Sequence, residues 1–120
     1  YQDIKLEPDI DAYVAMEQMG VIRLYTMRLE EKLVGYAIFF VRSNPHYKSS
    51  IQASQDVIFL QNDRLGSLHG YRFIEWCDEQ LKKEGIQVVY HHVKTAHNFG
   101  KLLERLGYEA VDIIYSKRLN

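Results

Sequence analysis

Between the apolar run Val57 to Leu60 and a helical pattern that closes at Gly85, the chain sets Arg64, Leu65, Gly66, Ser67, Leu68, His69 and Gly70 in a row. Residues of these types suit the holding of an anion. The first turn of a helix carries backbone N–H groups without partners inside the helix, and glycines beside it let the chain bend until several of them converge. A phosphate or diphosphate fits such a cradle. The Arg64 guanidinium at its entrance would add a charge-assisted hydrogen bond. Gly66 and Gly70 equally suit a tight strand-to-helix connection with no ligand, and their spacing matches neither a P-loop nor the G-x-G-x-x-G dinucleotide fingerprint.

The elements that must position this row follow from periodicity. Val57 to Leu60 is wholly apolar and reads as a strand buried on both faces. Ile74, Cys77 and Leu81, with Phe73 beside them, mark one face of a helix that Gly85 ends. Upstream, Pro8 to Met19 has helix-starting residues and a terminating Gly20. Val21 to Leu29 and Leu33 to Val41 read as strands joined by the polar turn Glu30-Glu31-Lys32. Arg42 to Ser50 is polar without period and reads as a loop. It is either a long hairpin tip or a segment from which His46 and Tyr47 lean over a substrate.

Downstream, Ile86 to Val93 reads as a strand. In it His91 and His92 point to opposite faces, so they form no metal pair, and no metal is expected. Thr95 is placed to cap a helix in which Phe99, Leu102, Leu103 and Leu106 share a face and which Gly107 stops. Tyr108 to Leu119 alternates, with Val111, Ile113 and Tyr115 on one side, and reads as a last strand.

With 120 residues, 47% apolar, and a net charge of −1, the chain has the size of one domain spanning residues 1–120, and no basic surplus points to nucleic acid. No apolar run approaches the ~18 residues of a membrane span. The single Cys77 falls on the apolar helix face and suits a reducing compartment, so a cytoplasmic protein is expected. The chain begins at Tyr1 without Met, and an N-terminal part is expected to be missing.

Asp56-Val57-Ile58-Phe59, then four residues, then Arg64, a glycine-containing turn and an amphipathic helix resembles the acetyl-CoA motif of the GNAT (Gcn5-related) N-acetyltransferase superfamily, in particular its short bacterial or bacteriophage members. The family's loop reads Arg or Gln, two residues, Gly, one residue, Gly or Ala. Counted from Arg64, its small positions fall on Ser67 and His69, with Gly66 and Gly70 each one residue away. The order of elements and the ending Glu104-Arg105-Leu106-Gly107-Tyr108, similar to the family's Y-E-K-L-G-F, extend the resemblance over residues 21–119.

The resemblance implies an α/β fold: a mixed, mostly antiparallel sheet flanked by helices, with a splayed parallel pair that admits pantetheine. It implies acetyl-CoA as co-substrate, transferred directly to an amine acceptor, small molecule or protein, in a ternary complex. A homodimer is one arrangement it allows. By the same resemblance, Ile58, Phe59 and Leu60 would present main-chain groups to pantetheine and the thioester oxygen. Leu65 to Gly70 would supply donors for the diphosphate, and Asn98 would touch the cofactor.

The attacking amine must be neutral, so a base or a water chain must take its proton. Asp56, retained from the family's Glu-Asp pair, is one candidate and equally suits capping or an ion pair. His92 is the other, because histidine titrates near neutral pH. Leu103 stands where the family often has a tyrosine that protonates the leaving thiolate. A non-catalytic acyl-CoA-binding or protein-interaction domain on the same scaffold is therefore the alternative.

Overall fold

Alternating and continuously apolar stretches give a four-stranded sheet. The computed structural model describes residues 5–120, the surroundings of Gly66 and the side chains of Asn44 and Asp63 excepted. Strands β1 (Ile22–Leu29), β2 (Lys32–Asn44), β3 (Tyr47–Leu60) and β4 (Val88–Tyr90) lie side by side in that order. The first three are antiparallel, and β4 runs parallel to β3. Helices α1 (Ile10–Gln18), α2 (Leu68–Lys83) and α3 (Gly100–Arg105) flank the sheet. The mixed, mostly antiparallel architecture expected above is the one observed. At the β1–β2 turn Glu30 and Glu31 take φ of 51° and 68°, the two-residue geometry whose twist matches the strands it joins.

The stripe read on α2 is the face that packs. Phe73, Cys77 and Leu81 meet Ala37, Phe39, Ala53 and Leu60 of the sheet, while Ile74 meets Phe99 and Leu103 in a second cluster. Cys77 is fully buried, and burial pushes its thiol up to about 12. Leu65 and Ile58 pack against both clusters, tying the turn after β3 to the sheet and to α3.

Five readings of the sequence change. Arg42 to Ser50 is no loop: β2 and β3 continue through it, pairing Arg42 with Gln52 and Ser43 with Ile51, and only Pro45 and His46 make the turn. A hairpin arm standing in solvent on both faces needs no apolar alternation. Val57 to Leu60 is not buried on both faces, since Phe59 is 51% exposed beside Tyr36. The strand expected over Ile86 to Val93 shrinks to β4, because its ladder to β3 stops at Ser54 and Tyr90. Thr95 opens a short 3-10 turn (Thr95–His97) without capping it by its side chain. Instead Asn98 Oδ1 accepts from the Gly100 N–H at the start of α3. The expected last strand, Tyr108 to Leu119, joins no ladder.

Candidate active site

The parting of two parallel strands builds the site. β3 and β4 pair only through Gln52–Val88, Ala53–Val89 and Ser54–Tyr90, yet β3 runs on to Leu60. From Gln55 onward the side of β3 turned away from β2 has no neighbouring strand. Because an antiparallel ladder uses alternate residues, half of the main-chain groups there face this slot instead of β2. Asp56 lies at the fork. The register with β2 passes from Ile38–Val57 to Phe39–Gln55, which leaves Asp56 as the extra residue of a bulge. Bulges re-aim a side chain and sharpen the local bend.

His91 props the fork open. With the carboxamide oxygen of Gln55 facing it, His91 Nδ1 donates to Gln55 Oε1 at 2.7 Å, while Nε2 is buried with no partner. Its ring stands edge-on to Phe39, Phe99 and Tyr108 at 5.6, 6.1 and 5.2 Å between centroids. Burial is the main reason its pKa falls to about 4, so this ring is neutral at neutral pH. His92, on the opposite side of the chain, is exposed. It lines an open cleft of about 330 Å³ together with Phe40, Arg42, Ser54, Gln55 and Asp56. The two candidate bases thus share one cleft.

The Tyr13 hydroxyl of α1 also reaches this point and donates to Asp56 Oδ2 at 2.5 Å. That bond, above all, raises the Tyr13 pKa and keeps its proton on the phenol.

Beyond β3 the chain makes a 3-10 turn (Gln61–Gly66) and enters α2 through Ser67. The Ser67 N–H donates to the Arg64 carbonyl at 3.0 Å, and the Ser67 hydroxyl accepts from the His69 N–H at 3.2 Å. The first ordinary helical bond runs from the Tyr71 N–H to the Ser67 carbonyl. Two donors of the expected cradle are therefore engaged by the chain itself. Helix geometry leaves those of Leu68 and Gly70 as the first-turn groups without a helical partner. Leu68 is exposed, as is His69. Gly70 is buried, and a Cβ there would sit 1.9 Å from the Leu65 carbonyl oxygen, so close packing of α2 on the turn demands a glycine. The surroundings of Gly66 lie outside the described residues.

No protein-family model matches the sequence, and no curated protein matches it. Solved structures do. An aminoglycoside acetyltransferase from an uncultured soil metagenomic sample, in complex with sisomicin, superposes with a TM-score of 0.73 at 13% identity, covering 98% of this chain and 79% of that one. A ribosomal-protein-alanine N-acetyltransferase from Brucella melitensis biovar Abortus 2308 gives 0.69 at 18%, covering 94% and 82%. A predicted acetyltransferase from Clostridium acetobutylicum, with acetyl-CoA, gives 0.72 at 10%, covering 96% and 79%. The chain has the GNAT fold.

Within the GNAT fold the sequence-derived residues are distributed unevenly. Asp56 and His92 both line the cleft, with Ile58, Phe59 and Leu60 next along β3 and Arg64 to Gly70 following. Asn98 spends its side-chain oxygen on the start of α3 and is exposed. His46 and Tyr47 are not brought to this cleft: they lie at the tip of the β2–β3 arm, and Tyr47 is about 30 Å along β3 from Asp56. Leu103, at the family's tyrosine position, is buried against Ile74 and Phe99. Two residues went unnoticed in the sequence. Tyr13 is 43 positions from Asp56, and no local pattern announces such a contact. Gln55 is 36 positions from His91, and their pairing marks where the strands divide. Among the described residues no helix is long and apolar enough to cross a membrane, and no group of three His, Cys, Asp or Glu could hold a metal ion.

Proposed function

We propose that the chain is an acetyl-CoA-dependent N-acetyltransferase in which a primary amine, entering the cleft at Asp56 and His92, attacks directly in a ternary complex. The observation that carries this reading is the parting of β3 from β4 immediately before the Asp56 bulge. It leaves a stretch of β3 main chain without a strand partner next to the cleft lined by Asp56 and His92.

The residues present fit coenzyme A. Its pantetheine arm is a chain of amides that needs a free strand edge, which Gln55 to Leu60 supply. Its diphosphate needs donors and a cation, for which Leu68, Gly70 and Arg64 are positioned in sequence after that strand. When bound, acetyl-CoA supplies an acyl group activated as a thioester. Main-chain N–H groups near the end of β3 favour the negative charge that grows on the acyl oxygen. Asp56 and His92 receive the proton lost as the amine nitrogen bonds to the acyl carbon, directly or through water. The Tyr13 hydroxyl holds the Asp56 carboxylate through its hydrogen bond. The C–S bond breaks, and the thiolate takes a proton from water, since buried Leu103 offers none.

That last point favours a second reading, an acyl-CoA-binding domain without turnover. The two separate in one assay: acetyl-CoA with a panel of amines, read as free thiol. Thiol release that depends on an amine supports transfer. Binding of acetyl-CoA with no release on any amine leaves the binding domain.

A further inference from the structure

The cleft that holds Asp56 and His92 carries opposite charges at its two ends. Phe39 packs into the core under α2, so its neighbour Phe40, and Arg42 two residues on, lie on the other face of the sheet. Ser54, the register partner of Phe40, lies beside them on β3. Arg42 stands away from Asp56: its register partner is Gln52, and from Gln52 to Asp56 the strand covers roughly 13 Å. Among the described residues Arg42 makes no ion pair and no side-chain hydrogen bond. The carboxylate of the cleft, Asp56, takes the Tyr13 hydroxyl instead. Arg42 also lines a second hollow of about 290 Å³ with Ser43, Pro45 and Gln52, so the residue borders open space on the cleft side and beyond it. An exposed arginine needs no partner in water. What distinguishes this one is the shared cleft, with a carboxylate at one end, a guanidinium at the other and an aromatic ring between them.

We propose that the amine acceptor carries an anionic group, a carboxylate or a phosphate, several bonds from its nitrogen, and that Arg42 binds this group. The inference rests on the transferase reading, which puts the nitrogen at Asp56 and His92. A guanidinium offers parallel N–H donors that match two oxygens of either anion. Phe40 gives the methylenes joining the two charges an apolar wall. An α-amine, next to its own carboxylate, does not span the separation, whereas an ω-amino acid or an aminoalkyl phosphate does. The same placement works against polyamines, because a second ammonium would meet the Arg42 charge.

Equilibrium binding of four matched amines to the full chain in the presence of desulfo-CoA tests this without turnover: 6-aminohexanoate, 6-aminohexyl phosphate, hexylamine and 1,6-diaminohexane. The anionic amines should bind about fivefold or more tightly than hexylamine, and the diamine more weakly than hexylamine. Arg42→Gln should bring the anionic amines to within about twofold of hexylamine, and Arg42→Lys, which keeps the charge without the fork, should fall between. A preference for one anion over the other identifies the natural group and supports the proposal. Equal affinity for all four, tighter binding of the diamine, a preference that survives Arg42→Gln, or failure of all four to bind overturns it. Thiol release from acetyl-CoA is read separately. Anionic amines that bind through Arg42 yet release no thiol would end the transferase reading and leave the anion site standing. Release with hexylamine and 6-aminohexanoate at the same kcat/KM would keep transfer and end the proposal.

Discussion

Asp56 owes its position to a mismatch between two strands. Removing one residue from register turns its carboxylate to the fork, where the Tyr13 hydroxyl meets it and His92 shares the cleft. Asp56→Asn keeps shape and the capacity to accept a hydrogen bond but loses proton affinity. Its kcat should fall by about 100-fold or more with coenzyme affinity unchanged, and turnover at the wild-type rate would remove it as a base. His91 has a different duty. Its pKa is depressed to about 4 from an ordinary 6.5, so the unfolded chain binds a proton that the folded chain refuses. Stability is therefore present in full above pH 6.5 and is lost as pH falls toward 4, with a slope approaching about 1.4 kcal/mol per pH unit. Urea midpoints measured from pH 7 to 4 should show that loss in the wild type and a shallower one in His91→Gln. Parallel profiles would contradict the assignment.

At the level of elements, the start of α2 is held by packing as much as by any ligand. Gly70 sits under the Leu65 carbonyl, so Gly70→Ala must push the 61–66 turn away from the helix. The chemical denaturation midpoint should drop by the equivalent of about 2 kcal/mol, with or without coenzyme. An unchanged midpoint would show that the turn yields freely. This glycine was legible in the sequence, but its reason was not. The stripe Phe73, Ile74, Cys77 and Leu81 could be read directly because helical packing repeats at a fixed interval. The β2–β3 arm could not, because strands wet on both faces carry no alternation. The bulge at Asp56 depends on the register of two strands, and the Tyr13 contact on tertiary structure, so neither has a local signature. The segment after Tyr108 has a strand's pattern, yet a strand exists only where a partner completes it.

Across the whole molecule, the proposed function needs the sheet, the fork and the first turn of α2 to act as one path from the amine to the diphosphate. Their common origin is the short β3–β4 ladder: three pairs hold the strands together, and its end leaves the rest of β3 open. Arg42 and Phe40 line the cleft with Asp56 and His92, and under the proposed function substrate choice would fall to them. The claim on which everything rests is that this path holds coenzyme A. Calorimetric titration with desulfo-CoA measures it without turnover. The account predicts one molecule bound per chain with a dissociation constant on the order of 10 µM, weakened about tenfold by Arg64→Ala and unaffected by Asp56→Asn. Absence of binding heat at millimolar ligand, or equal affinity in wild type and Arg64→Ala, would contradict it.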